Sequence, residues 1–510
     1  MPIALSGFAA LTLSLFAQNA PPASCSHIAS LALPQATITR AELVPAGAFV
    51  PPAAGNTAPG GANASRVFTE LPAFCRVALT LTPSADSDIK VEVWMPSSGW
   101  NGKFLGVGNG GWSGAIVYPA LAASIRRGYA TASTDTGHEG GSGRFALGHP
   151  EKLTDFAYRA VHEMTVKAKA IVTAFYSGAP RLSYWQGCSS GGKQGLKEAQ
   201  RFPDDYDGIV AGAPANYWTH LSTQAIWVAQ ATLKDPASFI APAQYPLINK
   251  AVLDACDALD GVKDGVLENP AQCRFDPNVL QCADQAGPAC LTNAQVAAVR
   301  RIYAPATNPR TGAVIFPGLA PGSELGWSAL AGGRKPLSIS DDHFKYVVFA
   351  DPDWDFRTFD FDRDLEKADQ IDGGRINATD PDLRAFAGRG GKLLMYHGWN
   401  DQLIAPQNSI DYYGSVMRTL GAEHAEKFVR LFMAPGMRHC AGGIGPDTFD
   451  MLAALELWVE HGTAPAQVPA SHATAGKIDR TRPLCPYPQV AQYRGTGSTD
   501  EAANFICKSP

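Results

Sequence analysis

Leu182-Ser183-Tyr184-Trp185-Gln186-Gly187-Cys188-Ser189-Ser190-Gly191-Gly192-Lys193 is the stretch whose reading decides the fold. Its first five residues read as a strand and Lys193 to Gln200 as the start of a helix, with a G-x-S-x-G turn between them. A serine held at such a sharp turn needs small neighbours, because any bulk would clash across the bend. Its hydroxyl then stands at a helix N-terminus, where free N–H groups and the helix dipole favour negative charge. This register makes Ser189 the candidate nucleophile and the N–H of Ser190 a candidate oxyanion donor. A Gly/Ser turn with no chemistry would match the short pattern equally well. Gly187 to Lys193 also fits the opening of a phosphate-binding loop, but Gln194 stands where the magnesium-binding Ser or Thr must be.

Upstream, Val91–Met95, Phe104–Val107 and Tyr129–Ser133 are short, apolar or β-branched runs bounded by Gly or Pro, and read as strands. Asp155–Tyr176 reads as a long helix capped by Thr154 or Asp155 and closed by Ser177-Gly178. Strand and helix in alternation imply a parallel sheet with crossover helices. The rhythm fades after Tyr217 and returns with a strand at Lys392–Tyr396, a helix at Ser409–Leu420, a strand at Phe428–Met433 and an amphipathic helix at Phe449–Glu460. The expected organisation is therefore a core domain over 23–216 and 380–510, interrupted by an insert over 217–379.

The strand Lys392–Tyr396 is followed by His397-Gly398-Trp399-Asn400-Asp401, and the strand Phe428–Met433 by Ala434-Pro435-Gly436-Met437-Arg438-His439-Cys440. An acid on the first loop and a histidine on the second, both after the serine, follow the chain order of an α/β-hydrolase triad. Asp401 would orient the imidazole of His439, which would take the Ser189 proton. Three placements that agree are stronger than any one of them. Cys188 precedes the serine and Cys440 follows the histidine, so an assembled triad brings the two together, and a disulfide between them would tie both loops.

Composition limits the alternatives. The chain has 510 residues, 45% of them hydrophobic, and 42 basic against 47 acidic side chains give a net charge of −5. No electrostatic grip on nucleic acid or on an anionic membrane follows from that balance. Ile3 to Phe16 is an apolar run too short to span a bilayer and suits the core of a signal peptide over 1–22, although no Lys or Arg precedes it. Ten cysteines without a CxxC pair point to an exported, disulfide-bonded protein, secreted or periplasmic.

With these motifs the sequence resembles the tannase and feruloyl esterase family, which includes the hydrolase of mono(2-hydroxyethyl) terephthalate. The residues that carry the resemblance are Gly187 to Gly192, His397 to Asp401, the pair His439-Cys440, and Gly108-Asn109-Gly110-Gly111-Trp112, and it runs from about Cys25 to Cys507. The resemblance implies that the glycine loop supplies a second oxyanion donor, Gly111, and that the insert is a lid over the active site. It implies five disulfides: Cys188 with Cys440, Cys25 with Cys75, Cys256 with Cys273, Cys282 with Cys290, and Cys485 with Cys507. Read alone, Gly106 to Gly111 also fits a dinucleotide fingerprint, but Trp112-Ser113-Gly114 opens a helix poorly.

Cys256 to Val266 packs three carboxylates and two glycines into one turn, the composition of a calcium loop, though its spacing is not that of an EF-hand. The resemblance implies a structural calcium on Asp257, Asp260 and Asp264 with the carbonyls of Val262 and Val266, and no organic cofactor. It further implies a small-molecule substrate, an ester of an aromatic acid of the hydroxycinnamate or gallate type. Terephthalate monoesters are the rival substrate, and a catalytically dead protein that binds aromatic ligands is the rival of another class. His397 and Ile404 are expected at the acyl pocket. Trp327, His343, Phe344 and Trp354 could supply an aromatic platform in the insert, although core packing is the commoner use of such residues.

Overall fold

The computed structural model describes residues 24–52, 67–283, 287 and 289–510; the expected signal peptide lies outside them. Nine strands form one sheet: Ala36–Val44 (β1), Phe74–Leu81 (β2), Ile89–Pro96 (β3), Lys103–Val107 (β4), Ala130–Thr134 (β5), Leu182–Cys188 (β6), Gly208–Gly212 (β7), Lys392–Gly398 (β8) and Val429–Ala434 (β9). Their order is β1-β2-β3-β5-β4-β6-β7-β8-β9. The first three strands and β5 pair antiparallel, and every pair from β5 to β9 is parallel. β6, which leads into the serine turn, is therefore central and covered on both faces.

Five helices cover that sheet. Tyr118–Arg126 (α1) and Met451–His461 (α6) pack with Trp94, Tyr184 and Leu394 on one face. Ala160–Tyr176 (α2), Ser190–Arg201 (α3) and Gln407–Leu420 (α5) pack with Val93, Trp185 and Met395 on the other. Adjacent residues of one strand thus face opposite cores, as the pleat requires. The glycines that bound β7 answer to close packing. A Cβ on Gly208 would meet Leu455 and Tyr184 at 2.9 Å, and one on Gly212 would meet the Tyr396 ring at 2.2 Å.

The helix expected over Asp155–Tyr176 starts earlier and is not uniform. It opens at Pro150, whose missing N–H costs nothing in a first turn. It then widens into a π-turn over Asp155–Arg159 before continuing as α2. Asp155 is buried there and receives Arg159 Nε at 2.6 Å, so it is not a cap. Ser177, not Gly178, takes the left-handed closing position, with φ 57°. The amphipathic helix expected from Phe449 begins at Met451, because Asp450 caps it by accepting Ala453 N at 2.9 Å. β1, β2 and the C-terminal strands Val468–Thr474, Lys477–Leu484, Val490–Tyr493 and Phe505–Lys508 had no counterpart in the sequence reading.

Among the described residues no strand of the main sheet lies between Gly212 and Lys392. That stretch is mostly short helices around Trp218–Leu233 (α4), and its apolar core also takes Trp112, Phe156 and Ile404 from outside it. The insert and the sheet domain therefore share one continuous core. Trp327, His343, Phe344 and Trp354 are all buried within it. All ten cysteines are paired, in the five combinations that the resemblance implied, as suits an oxidising compartment. Among the described residues no helix is long and apolar enough to cross a membrane.

Candidate active site

Ser189 sits between β6 and α3 with φ 63° and ψ −122°, a conformation that L-residues rarely adopt. Its backbone is fixed from both sides. Ser189 N donates to Gly212 O at 3.0 Å, and Ser189 O accepts from Lys193 N at 3.0 Å and Ala215 N at 3.1 Å. The glycines of the turn are there for space. A Cβ on Gly187 would lie 2.5 Å from the Gly191 backbone, and one on Gly192 would lie 2.4 Å from Gly212 O. Ser190 is the first residue of α3, so its N–H has no acceptor within the helix.

The glycine loop packs directly on this helix start. A Cβ on Gly108 would lie 2.6 Å from Gly191 Cα. Asn109 N donates to Gln194 Oε1 at 3.1 Å, and Asn109 Nδ2 donates to Thr134 O at 2.9 Å and Ala115 O at 3.0 Å. Ser190 Oγ donates to Gly111 O at 2.9 Å, so the two expected oxyanion residues are joined to each other. Gly111 has φ 53°, a left-handed conformation that favours glycine. Asn109 and Gln194, which stand in the sequence only as part of the glycine loop and as the residue in place of a magnesium ligand, brace that loop against α3.

Asp401 follows β8 and His439 follows β9. His439 Nδ1 lies 2.7 Å from Asp401 Oδ2. Asp401 is fully buried, and its Oδ1 accepts Leu403 N at 2.8 Å and Ile404 N at 3.0 Å. Burial opposes its ionisation, but the His439 charge and the hydrogen bonds from His397 and His439 hold the carboxyl well below the usual carboxylate range. Burial likewise pulls the His439 imidazole down, and the Asp401 charge and hydrogen bond outweigh it, so the ring titrates above its ordinary 6.5. The Cys188–Cys440 disulfide, with 6.0 Å between the Cα atoms, anchors the histidine loop to the serine turn.

Ser189, Ser190, Gly111, His439 and Ile404 line one cleft. Its other walls come from Ala215, from α4 (Trp218, Leu221, Ser222, Ala225), from Leu337, Ile339 and Ser340 of the insert, and from Leu403. The expected role of His397 in the acyl pocket requires correction. Its ring is fully buried and does not line the cleft. Nδ1 is 2.7 Å from Ser409 Oγ at the start of α5, and Nε2 is 3.0 Å from Asp401 Oδ2 and 3.1 Å from Ile404 O. His397 holds Asp401 in place. The insert's contribution to the cleft escaped the sequence reading because no motif marks it.

Behind the cleft lies Lys193, entirely buried, with no hydrogen-bond partner for Nζ. The ammonium sits 4.3 Å from the Phe156 ring centroid and 5.4 Å from that of Trp218. Burial pushes it down to about 7.

The acidic turn of the insert folds around its own N–H groups. Asp257 accepts Gly265 N, Asp260 accepts Val262 N and Glu268 N, and Asp264 accepts Val266 N, all between 3.0 and 3.1 Å. Arg482 Nη2 reaches Asp264 Oδ2 at 2.8 Å. Burial, with the neighbouring Asp264 charge adding to it, raises the Asp257 and Asp260 carboxyls. Hard oxygen donors in mutual repulsion suit calcium chemically. Among the described residues the three aspartates do not form a group with all ligating atoms within 4.8 Å of one another, so a cation there would also need the Val262 and Val266 carbonyls.

A family model described as tannase and feruloyl esterase matches residues 75–508. An uncharacterised esterase of Xanthomonas campestris is 40% identical, with 95% of this chain and 91% of that protein covered. A probable feruloyl esterase B-2 of Aspergillus terreus is 35% identical over 99% of this chain and 98% of its own length. The crystal structure of feruloyl esterase B from Aspergillus oryzae superposes with a TM-score of 0.88 at 33% identity, covering 95% of this chain and 100% of that one. Tannin acyl hydrolase from Aspergillus niger shares the fold, with a TM-score of 0.79 at 22% identity and coverage of 96% and 97%. The nine-stranded sheet, its serine turn and these likenesses together place the chain in the tannase and feruloyl esterase family of carboxylic ester hydrolases, with an α/β-hydrolase fold.

Proposed function

We propose that the protein is an exported serine esterase that cleaves esters of uncharged aromatic acids, of the hydroxycinnamate or gallate type, through an acyl-enzyme on Ser189. The observation that carries this reading is one cleft wall bearing both the strained Ser189 and His439, with the His439 ring held 2.7 Å from Asp401. Ser189 Oγ attacks the ester carbonyl and His439 takes its proton, while Asp401 stabilises the imidazolium. The N–H groups of Ser190 and Gly111 receive the oxyanion. His439 then protonates the leaving alcohol, and a water activated by the same ring releases the acid. The five disulfides support an oxidising destination.

The cleft favours an acyl group without charge. Leu221, Ala225, Leu337, Ile339, Leu403 and Ile404 make its walls apolar, and among the described lining residues His439 is the sole side chain able to carry positive charge. A terephthalate monoester would bring a carboxylate into those walls without a counter-ion, which is costly. The hydroxyls of Ser222 and Ser340 could instead take phenolic groups. We also propose that calcium binds the Asp257–Val266 turn and secures the lid, far in sequence from the chemistry.

Initial rates on methyl ferulate, methyl gallate, chlorogenate and a terephthalate monoester test the substrate class. Turnover of the phenolic esters above the terephthalate monoester, abolished in Ser189→Ala, is the expected result. Preference for the terephthalate monoester would refute the uncharged acyl group, and absence of both turnover and fluorophosphonate labelling would leave a binding protein. His439 acts as base when neutral and its pKa is raised, so kcat/KM should rise with pH through a limb above 6.5. Asp401→Asn should move that limb down and lower kcat roughly 10⁴-fold. His397→Ala should lower kcat by roughly 10–100-fold through misplacement of Asp401, with KM nearly unchanged, whereas a pocket residue would move KM. Removing calcium with a chelator should lower the melting temperature, in line with about 2.7 kcal/mol of stabilisation at roughly 100 times Kd. Asp260→Asn should abolish that calcium response.

A further inference from the structure

A second cluster of chemistry-bearing side chains lies at the other end of α3 from Ser189. His162 is on the first turn of α2, Glu198 on the last turns of α3, and Asp205 on the turn between α3 and β7. Their ligating atoms all lie within 4.8 Å of one another. His162 Nδ1 is 2.6 Å from Asp205 Oδ2, and the imidazole is stacked on Phe202 with ring centroids 3.8 Å apart. This orients the ring towards the two carboxylates.

Glu198 makes the cluster unusual. It is 1% exposed, and no N–H, hydroxyl or ammonium group reaches either of its carboxylate oxygens, which leaves the Asp205 carboxyl as its hydrogen-bond neighbour. Buried carboxylates are ordinarily paired, hydrogen-bonded or bound to metal. Arg201, three residues further along α3, is turned to the Tyr158 ring at 4.1 Å. The neighbouring ammonium of Lys169 is committed to the Asp205 main-chain carbonyl. What remains is a buried Glu198 carboxyl whose polar neighbours are the Asp205 carboxyl and the His162 imidazole.

We infer that His162, Glu198 and Asp205 form a binding site for a divalent transition-metal ion of the zinc type, which would staple α2, α3 and the turn into β7 together. One imidazole nitrogen and two carboxylate oxygens are a common zinc donor set, with bonds of roughly 2.0–2.2 Å. The His162 side chain is 29% exposed, enough for an ion to enter and for water to complete the coordination. Glu198 lies nine positions beyond Ser189 along α3, about 13 Å at the helical rise, so the ion would stabilise the helix that seats the nucleophile without touching substrate. Imidazole distinguishes this site from the all-oxygen turn at Asp257–Val266.

The test uses the full chain stripped of metal with EDTA and then titrated with Zn²⁺ by calorimetry, with metal analysis after gel filtration. One equivalent of zinc and a raised melting temperature are expected. Glu198→Gln keeps the volume and His162→Phe keeps the stack on Phe202, so both should fold, with circular dichroism and ester turnover as the check. Each should bind zinc at least roughly tenfold more weakly and lose the thermal shift. Wild-type protein that retains no zinc would overturn the proposal. So would either folded variant binding zinc as tightly as wild type, because the ion would then sit elsewhere.

Discussion

The backbone of Ser189 is the constraint on which the rest of the structure depends. A serine at φ 63° and ψ −122° stores conformational strain, on the order of 1–3 kcal/mol, and keeps it only where the surroundings leave no alternative. Here they leave none. β7 fixes the serine N–H through Gly212 O, Ala215 and Lys193 fix its carbonyl, and the neighbouring Cys188 is covalently tied to Cys440. The glycines around it act from the opposite side, by leaving room. Gly108, Gly187 and Gly192 bring three backbone segments to distances that a Cβ would forbid, and a Cβ on Gly191 would be tight at 3.0 Å from Asn109 O. Strain at one residue and close approach at four are therefore two aspects of one packing arrangement, which holds the proposed oxyanion donors beside Ser189.

The same economy governs the charge at Asp401. A carboxylate without solvent contact would ordinarily take up a proton. Two imidazoles and two backbone N–H groups converge on it instead, so the charge is retained where His439 needs it. His397 is essential to that count. It is bonded to Ser409 on its far side, and one ring links the start of α5 to the acid. A histidine that opens the loop of the proposed catalytic acid looks in sequence like a substrate contact; in three dimensions it is bonded to Asp401.

The parts legible in the sequence were those with a local signature. The serine turn, the strands before it, and the loops bearing Asp401 and His439 are short motifs whose chemistry dictates residue type. β1 escaped because it is an edge strand, exposed at most positions and rich in Thr, Arg and Glu. β7 escaped because close packing demands glycines at its ends, which read as turn residues. The start of α2 was misplaced because Asp155 suits a cap in sequence, whereas here it sits inside a π-turn and serves Arg159. The cleft walls of the insert could not be read at all. Leu337, Ile339 and Ser340 carry no pattern, and only the fold brings them over Ser189.

That arrangement also bears on how the insert can act. A lid free to swing as a separate body would have its own core and few bonds to the catalytic loops. The insert instead shares its core with Trp112, Phe156 and Ile404. Trp112, next to Gly111, donates its indole N–H to Ile339 O at 2.8 Å. The Asp342 carboxylate accepts Gly143 N at 3.0 Å and Ser142 Oγ at 2.6 Å. The segment that walls the cleft is thus bonded to the loop bearing Gly111, the proposed oxyanion donor. A change at Leu337 or Ile339 made to admit a different acid would be transmitted through Trp112 to the position of Gly111. Under the proposed mechanism, substrate choice and transition-state stabilisation are therefore mechanically joined, and large shifts in specificity would require the insert and the glycine loop to change together.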